Sequence, residues 1–367
     1  MKQALSMTLS LCLAACAGAP SSGPAPADLL DVGTEANGRA AIEDPESLGG
    51  LLYLSGGWAV EEGELLDELA PNVRFVSGLT EEQRLLRAGE FHGADAHLLT
   101  PEFLAAAHQL RWVQSHSAGV DRYLGLADLM QRDEIVLTNM KGVHGPVIAE
   151  HVMAMLLSLC RALPDFQRAQ DQGRWDRRAG SGQRVLAGST LLVVGLGGIG
   201  TEVARRAHGF DMHVLATARS PRPAPEFVAE LGTGEDLSRF LAEADFVVIC
   251  LPLTDETRGL FDAARLAELK HDAILVNIGR GPIVDTEALV DALERGALGG
   301  ACLDVTDPEP LPAGHPLWAR GDVIITPHTA ATGELTGRRR EQLFHENVRR
   351  FGAGEPLLNV VDKSAGY

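Results

Sequence analysis

From residue 50 onward, short runs of consecutive apolar residues alternate with longer stretches whose apolar positions recur every three to four residues. The short runs read as strands buried on both faces and the longer stretches as amphipathic helices covering them, which predicts repeated βαβ units. A first series of strands is expected at Leu51–Leu54, Val73–Val76, Ala96–Leu99, Trp112–Ser115 and Val136–Thr138, separated by helices at Glu61–Leu69, Glu81–Ala88 and Pro101–His108. An apolar segment from Pro146 to about Gln170, with Val147, His151, Met155, Leu159 and Ala162 at helical spacing, predicts one long helix. A second series follows at Thr190–Val194, His213–Thr217, Phe246–Cys250, Ile274–Asn277, Gly300–Leu303 and Val323–Ile325. The last periodic stretch, Glu334–Phe351, predicts a helix long enough to return to the first series. The chain therefore reads as α/β, with two parallel-sheet domains, the second inserted into the first.

The turn Gly195-Leu196-Gly197-Gly198-Ile199-Gly200 gives the second domain a chemistry. It follows the strand ending at Val194 directly and opens a helix at Ile199. In that context Gly195 permits a tight turn, Gly197 lets the backbone approach a pyrophosphate, and Gly200 lets helix pack on strand. The helix start adds unpaired N–H groups and a partial positive charge. This is a Rossmann-like dinucleotide site, and Leu251 and Pro252, after the strand ending at Cys250, are further candidate cofactor contacts. An NAD site usually carries an acidic residue about 20 positions on, to hold the adenosine ribose hydroxyls. Here the next strand ends in Ala218-Arg219-Ser220, followed by Arg222, with no carboxylate. Arg219 and Ser220 suit a 2′-phosphate, so NADP(H) is preferred and NAD(H) is the alternative.

Three later segments each end a predicted strand with reactive side chains: Asn277 to Asp285, Leu303 to Pro310, and Thr326-Pro327-His328-Thr329. Among these side chains Arg280 offers a planar fork of donors suited to holding a carboxylate. His328 can deliver a proton near neutral pH. Glu309, hydrogen-bonded to the imidazole, would stabilise the imidazolium.

With these segments in order and correctly spaced, residues 50 to 360 resemble the D-isomer-specific 2-hydroxyacid dehydrogenases, closest to the glyoxylate and hydroxypyruvate reductases. The resemblance implies one flavodoxin-like and one Rossmann-like domain: a substrate domain of residues 50–148 and 331–367 around a cofactor domain of residues 149–330. It implies Arg280, Glu309 and His328 as the catalytic three, and Asp304 as a partner of the nicotinamide carboxamide. Trp112 to Ser115, running into Ala118-Gly119-Val120-Asp121, resembles the substrate loop, whose Ala118 and Gly119 amides would hold the substrate carboxylate. Asn139 to His151 resembles the interdomain segment, where His144 and His151 read as structural. Thr329-Ala330-Ala331 departs from the Ile-Gly-Gly common after the family histidine. Relatives are homodimers, which implies contacts around Ala149 to Trp175. The same family includes formate and phosphite dehydrogenases and corepressor-type redox sensors, and these alternatives stay open at this point.

Composition changes the picture in three respects. A formal charge of −18 and a pI near 5.1 argue against a nucleic-acid partner, so an anionic substrate must be held by local cations. Cys160, Cys250 and Cys302 sit in apolar runs and read as small buried residues, with no metal-ligand spacing anywhere. The third is the N-terminus: Lys2, an apolar stretch from Ala4 to Ala15, and Leu13-Ala14-Ala15-Cys16, which resembles a bacterial lipobox. The expectation is a signal peptide over residues 1–16, a lipid anchor on Cys16, a flexible tether over residues 17–49 and a periplasmic or outer-membrane site. A cytoplasmic protein is the alternative if the leader is not processed.

Overall fold

The computed structural model describes residues 39–42, 49–57, 63–180 and 182–366. The leader with Cys12 and Cys16, and most of the expected tether, lie outside these residues.

The first sheet holds β1 (Leu51–Leu54), β2 (Val73–Val76), β3 (Gly93–Asp95), β4 (Trp112–Gln114) and β5 (Val136–Thr138), all parallel in the order β2-β1-β3-β4-β5. That is the flavodoxin-like order. The second holds β6 (Thr190–Val194), β7 (His213–Thr217), β8 (Glu230–Gly232), β9 (Phe246–Ile249), β10 (Ile274–Asn277), β11 (Gly300–Leu303) and β12 (Val323–Ile325). Their order, β12-β11-β10-β9-β6-β7-β8, reverses between β6 and β9, so a crevice opens there at the carboxyl ends of the strands.

Each strand of the second sheet splits its side chains between two cores, as the two-residue period of a strand demands. Leu191, Val193, Val214, Ala216, Val248, Val276 and Cys302 face the helices Gly145–Cys160 and Gly198–Gly209. Leu192, Val194, Leu215, Val247, Leu275 and Leu303 face Leu237–Glu243 and Thr286–Glu294. Burial pushes the Cys302 thiol far above its ordinary range and the Cys250 thiol up to about 12, which suits packing and not nucleophilic attack.

The terminal helix Glu334–Ala353 returns to the first sheet and lays Leu343, Phe344, Val348 and Phe351 against Tyr53 and Trp112. Phe344 stacks on Trp112 with ring centroids 5.9 Å apart, and Phe351 lies 5.0 Å from the same ring. The second domain is thus inserted between two segments of one fold.

Three elements differ from expectation. The third strand is Gly93–Asp95, and Ala96–Leu98 is a 3-10 turn. A Cβ at Gly93 would lie 2.4 Å from the Tyr53 ring, so the strand is built from small residues that carry little apolar signal. The single helix expected from Pro146 to about Gln170 is two, Gly145–Cys160 and Leu163–Asp171, bent by 68°. The break falls at Ala162, whose φ of 52° is left-handed, just before Pro164, which lacks the N–H a continuing helix needs. The edge strand β8 is only Glu-Leu-Gly, with Leu231 its one apolar side chain, and so carries no apolar run.

Candidate active site

The carboxyl ends of β6, β9, β10, β11 and β12 bring the second domain's loops to one edge, facing the ends of β4 and β5 in the first domain. On β6 the glycine turn begins at Gly195, whose φ of 100° is left-handed. Gly195 N donates to Thr217 Oγ1 and Leu196 N to Thr217 O, which ties the turn to β7. A Cβ at Gly200 would lie 2.2 Å from Gly195 O, so only glycine permits this helix–turn contact. A Cβ at Gly197 would meet nothing within 4 Å, leaving open space above the turn, beside the first amides of the helix Gly198–Gly209. An open glycine cradle at a helix N-terminus fits the diphosphate of a dinucleotide. Ile199 is partly buried against the core below the turn, and the Leu251 side chain borders Gly195. The Leu251 carbonyl borders Gly279 in turn, so the Leu251-Pro252 loop lies between the two glycine turns. Beyond β7, Arg219, Ser220 and Arg222 are exposed, and Arg222 Nη2 donates to Leu196 O, holding a guanidinium beside the turn.

Arg280 follows β10. Asn277 fixes its backbone from both sides, with Oδ1 accepting from Gly279 N at 3.1 Å and Nδ2 donating to Arg280 O at 3.0 Å. Its side chain reaches across to the first domain, where Nη2 and Nε donate to Asp121 Oδ1 at 2.9 and 3.2 Å. Gly119 lies directly against it; a Cβ there would fall 1.8 Å from Nη2. Asn139, buried at the end of β5, donates from Nδ2 to Ala118 O at 2.9 Å. Because a trans peptide points its carbonyl and N–H in opposite directions, that bond turns the Gly119 N–H away from Asn139.

His328 also has a left-handed backbone, φ 54°, uncommon for a side chain of this size. It is held there by Asp304. The Asp304 carbonyl accepts from His328 N at 2.8 Å, while its carboxylate accepts from Thr326 Oγ1 at 2.6 Å, Thr329 N at 2.9 Å and Ala330 N at 3.1 Å. Asp304 is buried, and His151 Nε2 lies 2.9 Å from Thr326 Oγ1 on the other side. His328 Nδ1 is 2.7 Å from Glu309 Oε1, and both side chains are nearly half exposed, so Nε2 is the ring atom left to face a substrate. A carboxylate on Nδ1 holds the proton there in the neutral ring. The Glu309 loop packs on the Arg280 turn, since a Cβ at Gly281 would fall 1.9 Å from Thr306 O.

The geometry therefore pairs Glu309 with His328 and brings Arg280 onto the Ala118–Gly119 turn. Asp304 turns toward the His328 loop, with both carboxylate oxygens bonded to protein donors. Asp121, Asn139, Asn277 and Thr326 carry no assigned role in the sequence reading; for Asn139, Asn277 and Thr326 the available signal is a polar residue where a two-sided apolar strand ends, whereas Asp121 lies in the loop beyond β4.

The family model described as D-isomer specific 2-hydroxyacid dehydrogenase, NAD binding domain, matches residues 153–330. Glyoxylate/hydroxypyruvate reductase B of Escherichia fergusonii is 36% identical over 272 residues, which cover 71% of this chain and 82% of the relative. The D-isomer specific 2-hydroxyacid dehydrogenase of Xanthobacter autotrophicus Py2, solved with NADPH and MES, superposes with a TM-score of 0.74 at 34% identity, covering 87% of this chain and all of that one. The NADPH-dependent glyoxylate/hydroxypyruvate reductase of Sinorhizobium meliloti, solved with NADP and sulfate, gives 0.71 at 29% identity, covering 86% and all of the two chains. Sheet order, glycine cradle and sequence similarity agree: this chain belongs to the D-isomer-specific 2-hydroxyacid dehydrogenase family.

Proposed function

We propose that the protein reduces a small 2-keto acid of the glyoxylate or hydroxypyruvate kind to its D-2-hydroxy acid with NADPH, NADH serving less well. The observation that carries the reading is a pinned guanidinium lying against the Ala118–Gly119 turn, with the loop that leads to the carboxylate partner of His328 packed on the arginine turn. Arg280 and the amides of Ala118 and Gly119 hold the substrate carboxylate, and the Arg280 charge polarises the neighbouring carbonyl. His328, oriented by Glu309 through Nδ1, delivers a proton from Nε2 to the carbonyl oxygen as negative charge develops there. The glycine turn with Leu251, Pro252 and Asp304 would hold the dinucleotide, and the cluster Arg219, Ser220 and Arg222 its 2′-phosphate; the bound cofactor supplies the hydride. The NADPH and NADP complexes of the two solved relatives support that choice.

The test is His328→Ala, assayed for keto-acid-dependent NADPH oxidation and, separately, for NADPH binding. Turnover should fall by about 10²- to 10⁴-fold with cofactor affinity kept; full turnover would remove His328 from the chemistry.

We also propose a homodimer built on the segment from Ala149 to Trp175. Trp175 is 93% exposed and Leu163 51% exposed, an outlay of apolar surface that a second copy would cover; light scattering reads the mass directly. The leader is proposed to tether the enzyme through Cys16. Labelling with radioactive palmitate and fractionation of a Cys16→Ser variant test it, and label retained by that variant would refute it.

A further inference from the structure

Three of the five guanidinium N–H groups of Arg280 are already bonded to the protein. Nε and Nη2 give one each to Asp121 Oδ1, at 3.2 and 2.9 Å, and Nη1 gives one to Gly279 O at 2.8 Å. Asp121 thus holds one edge of the planar group and the chain's own carbonyl holds the other. What remains is one N–H on Nη1 and one on Nη2, side by side at the outer end. Two parallel donors of that spacing match the two oxygens of a carboxylate.

The placement of Asp121 adds to this. It stands two residues after Gly119, so a single turn supplies both the Gly119 amide, turned away from Asn139, and the acid that aims the guanidinium. It also belongs to the first domain, while Arg280 belongs to the second.

We propose that Asp121 is a positioning residue for substrate reduction: it fixes the Arg280 fork for the keto acid's carboxylate, and does so only when the two domains stand together across the cleft. The proposal rests on the reductase reading above. It differs from a plain interdomain ion pair in what it predicts for kcat.

The experiment compares Asp121→Ala with Asp121→Asn. Alanine removes the acceptor oxygen and frees the guanidinium to swing, so kcat should fall about 10- to 100-fold, with NADPH affinity and thermal midpoint unchanged. Asparagine keeps an acceptor oxygen in place and should recover most of the loss. In an Arg280→Ala background, Asp121→Ala should lower kcat no further, because no guanidinium is left to aim. A kcat for Asp121→Ala close to wild type, an asparagine variant as poor as alanine, or additive losses in the double variant would each overturn the assignment. Independently of turnover, the Arg280 Nε–H should give a proton–nitrogen signal protected from solvent in the wild type and unprotected in Asp121→Ala. An unaltered signal also overturns it, whereas a wild-type enzyme that reduces no keto acid overturns the reductase reading alone.

Discussion

One added methyl group tests the cross-domain site most directly. In Gly119→Ala the new Cβ would stand 1.8 Å from Arg280 Nη2, 3.0 Å from its Cζ and 2.8 Å from Asp121 Oδ1. An ordinary contact is about 3.5 Å, so the guanidinium has to withdraw by roughly 1.7 Å. The Arg280 backbone cannot follow, being held on both sides by Asn277. The side chain alone must move, which breaks its bonds to Asp121. Gly119 is not among the left-handed glycines, so alanine adds no backbone strain and the effect is steric. A displacement of about 1 Å at a reacting centre costs on the order of 10²-fold, and losing one charge-assisted hydrogen bond, about 1.5–3 kcal/mol, predicts a similar range. The expected result is a fall in kcat/KM for glyoxylate and hydroxypyruvate of about 10²-fold, followed through NADPH absorbance. NADPH affinity and the thermal midpoint should stay near wild type, because the glycine turn and the cores are untouched. A kcat/KM within about threefold of wild type would refute the reasoning, as would a loss that proved to be one of cofactor binding.

Asp304→Asn turns an acceptor oxygen into a donor among the donors Thr326 Oγ1, Thr329 N and Ala330 N. It should cost about 1–3 kcal/mol in urea unfolding and lower turnover by loosening the His328 turn; unchanged stability would count against the anchor. Arg219→Asp, alone and with Arg222→Ser, should cut NADPH efficiency by about tenfold or more while sparing NADH. Equal NADPH efficiency would remove these residues from the 2′-phosphate. His144, buried, has its pKa pushed down from 6.5 to about 4, chiefly by burial and then by the charge of Arg340, with the Met140 backbone pulling the other way. Between those two values the unfolded chain takes up a proton that the folded one refuses, so stability falls as pH drops through that window. The loss attributable to His144 is about 2 kcal/mol on going from pH 7 to pH 5. Denaturant curves at the two values should show a smaller drop for His144→Gln; an identical drop would exclude His144 as the cause.

Most of the secondary structure was legible in the sequence because strands covered on both faces must be apolar throughout. Leu191 to Val194, Phe246 to Ile249 and Ile274 to Val276 each announce themselves in this way. Gly93–Asp95 did not: its residues are small because the Tyr53 ring occupies the space beside Gly93, a fact of packing that no local pattern carries. The bend at Ala162 was similarly hidden, since the apolar period continues on both sides while only Pro164 and one left-handed residue interrupt the helix.

The sequence by itself determined the chemistry available: a glycine cradle after a strand, a basic cluster in place of the ribose acid, and an arginine, a glutamate and a histidine at the ends of successive strands. Local backbone rules are enough for that, because each feature is confined to one turn. Tertiary structure alone decided which groups meet. Asp121 reaches Arg280 from 159 residues away, and Asp304 receives the turn bearing His328. Asn139 orients the amide of a loop on a neighbouring strand. These are contacts between chain segments distant in sequence, fixed by sheet order and by the return of the last helix to the first sheet, and a one-dimensional pattern has no term for them.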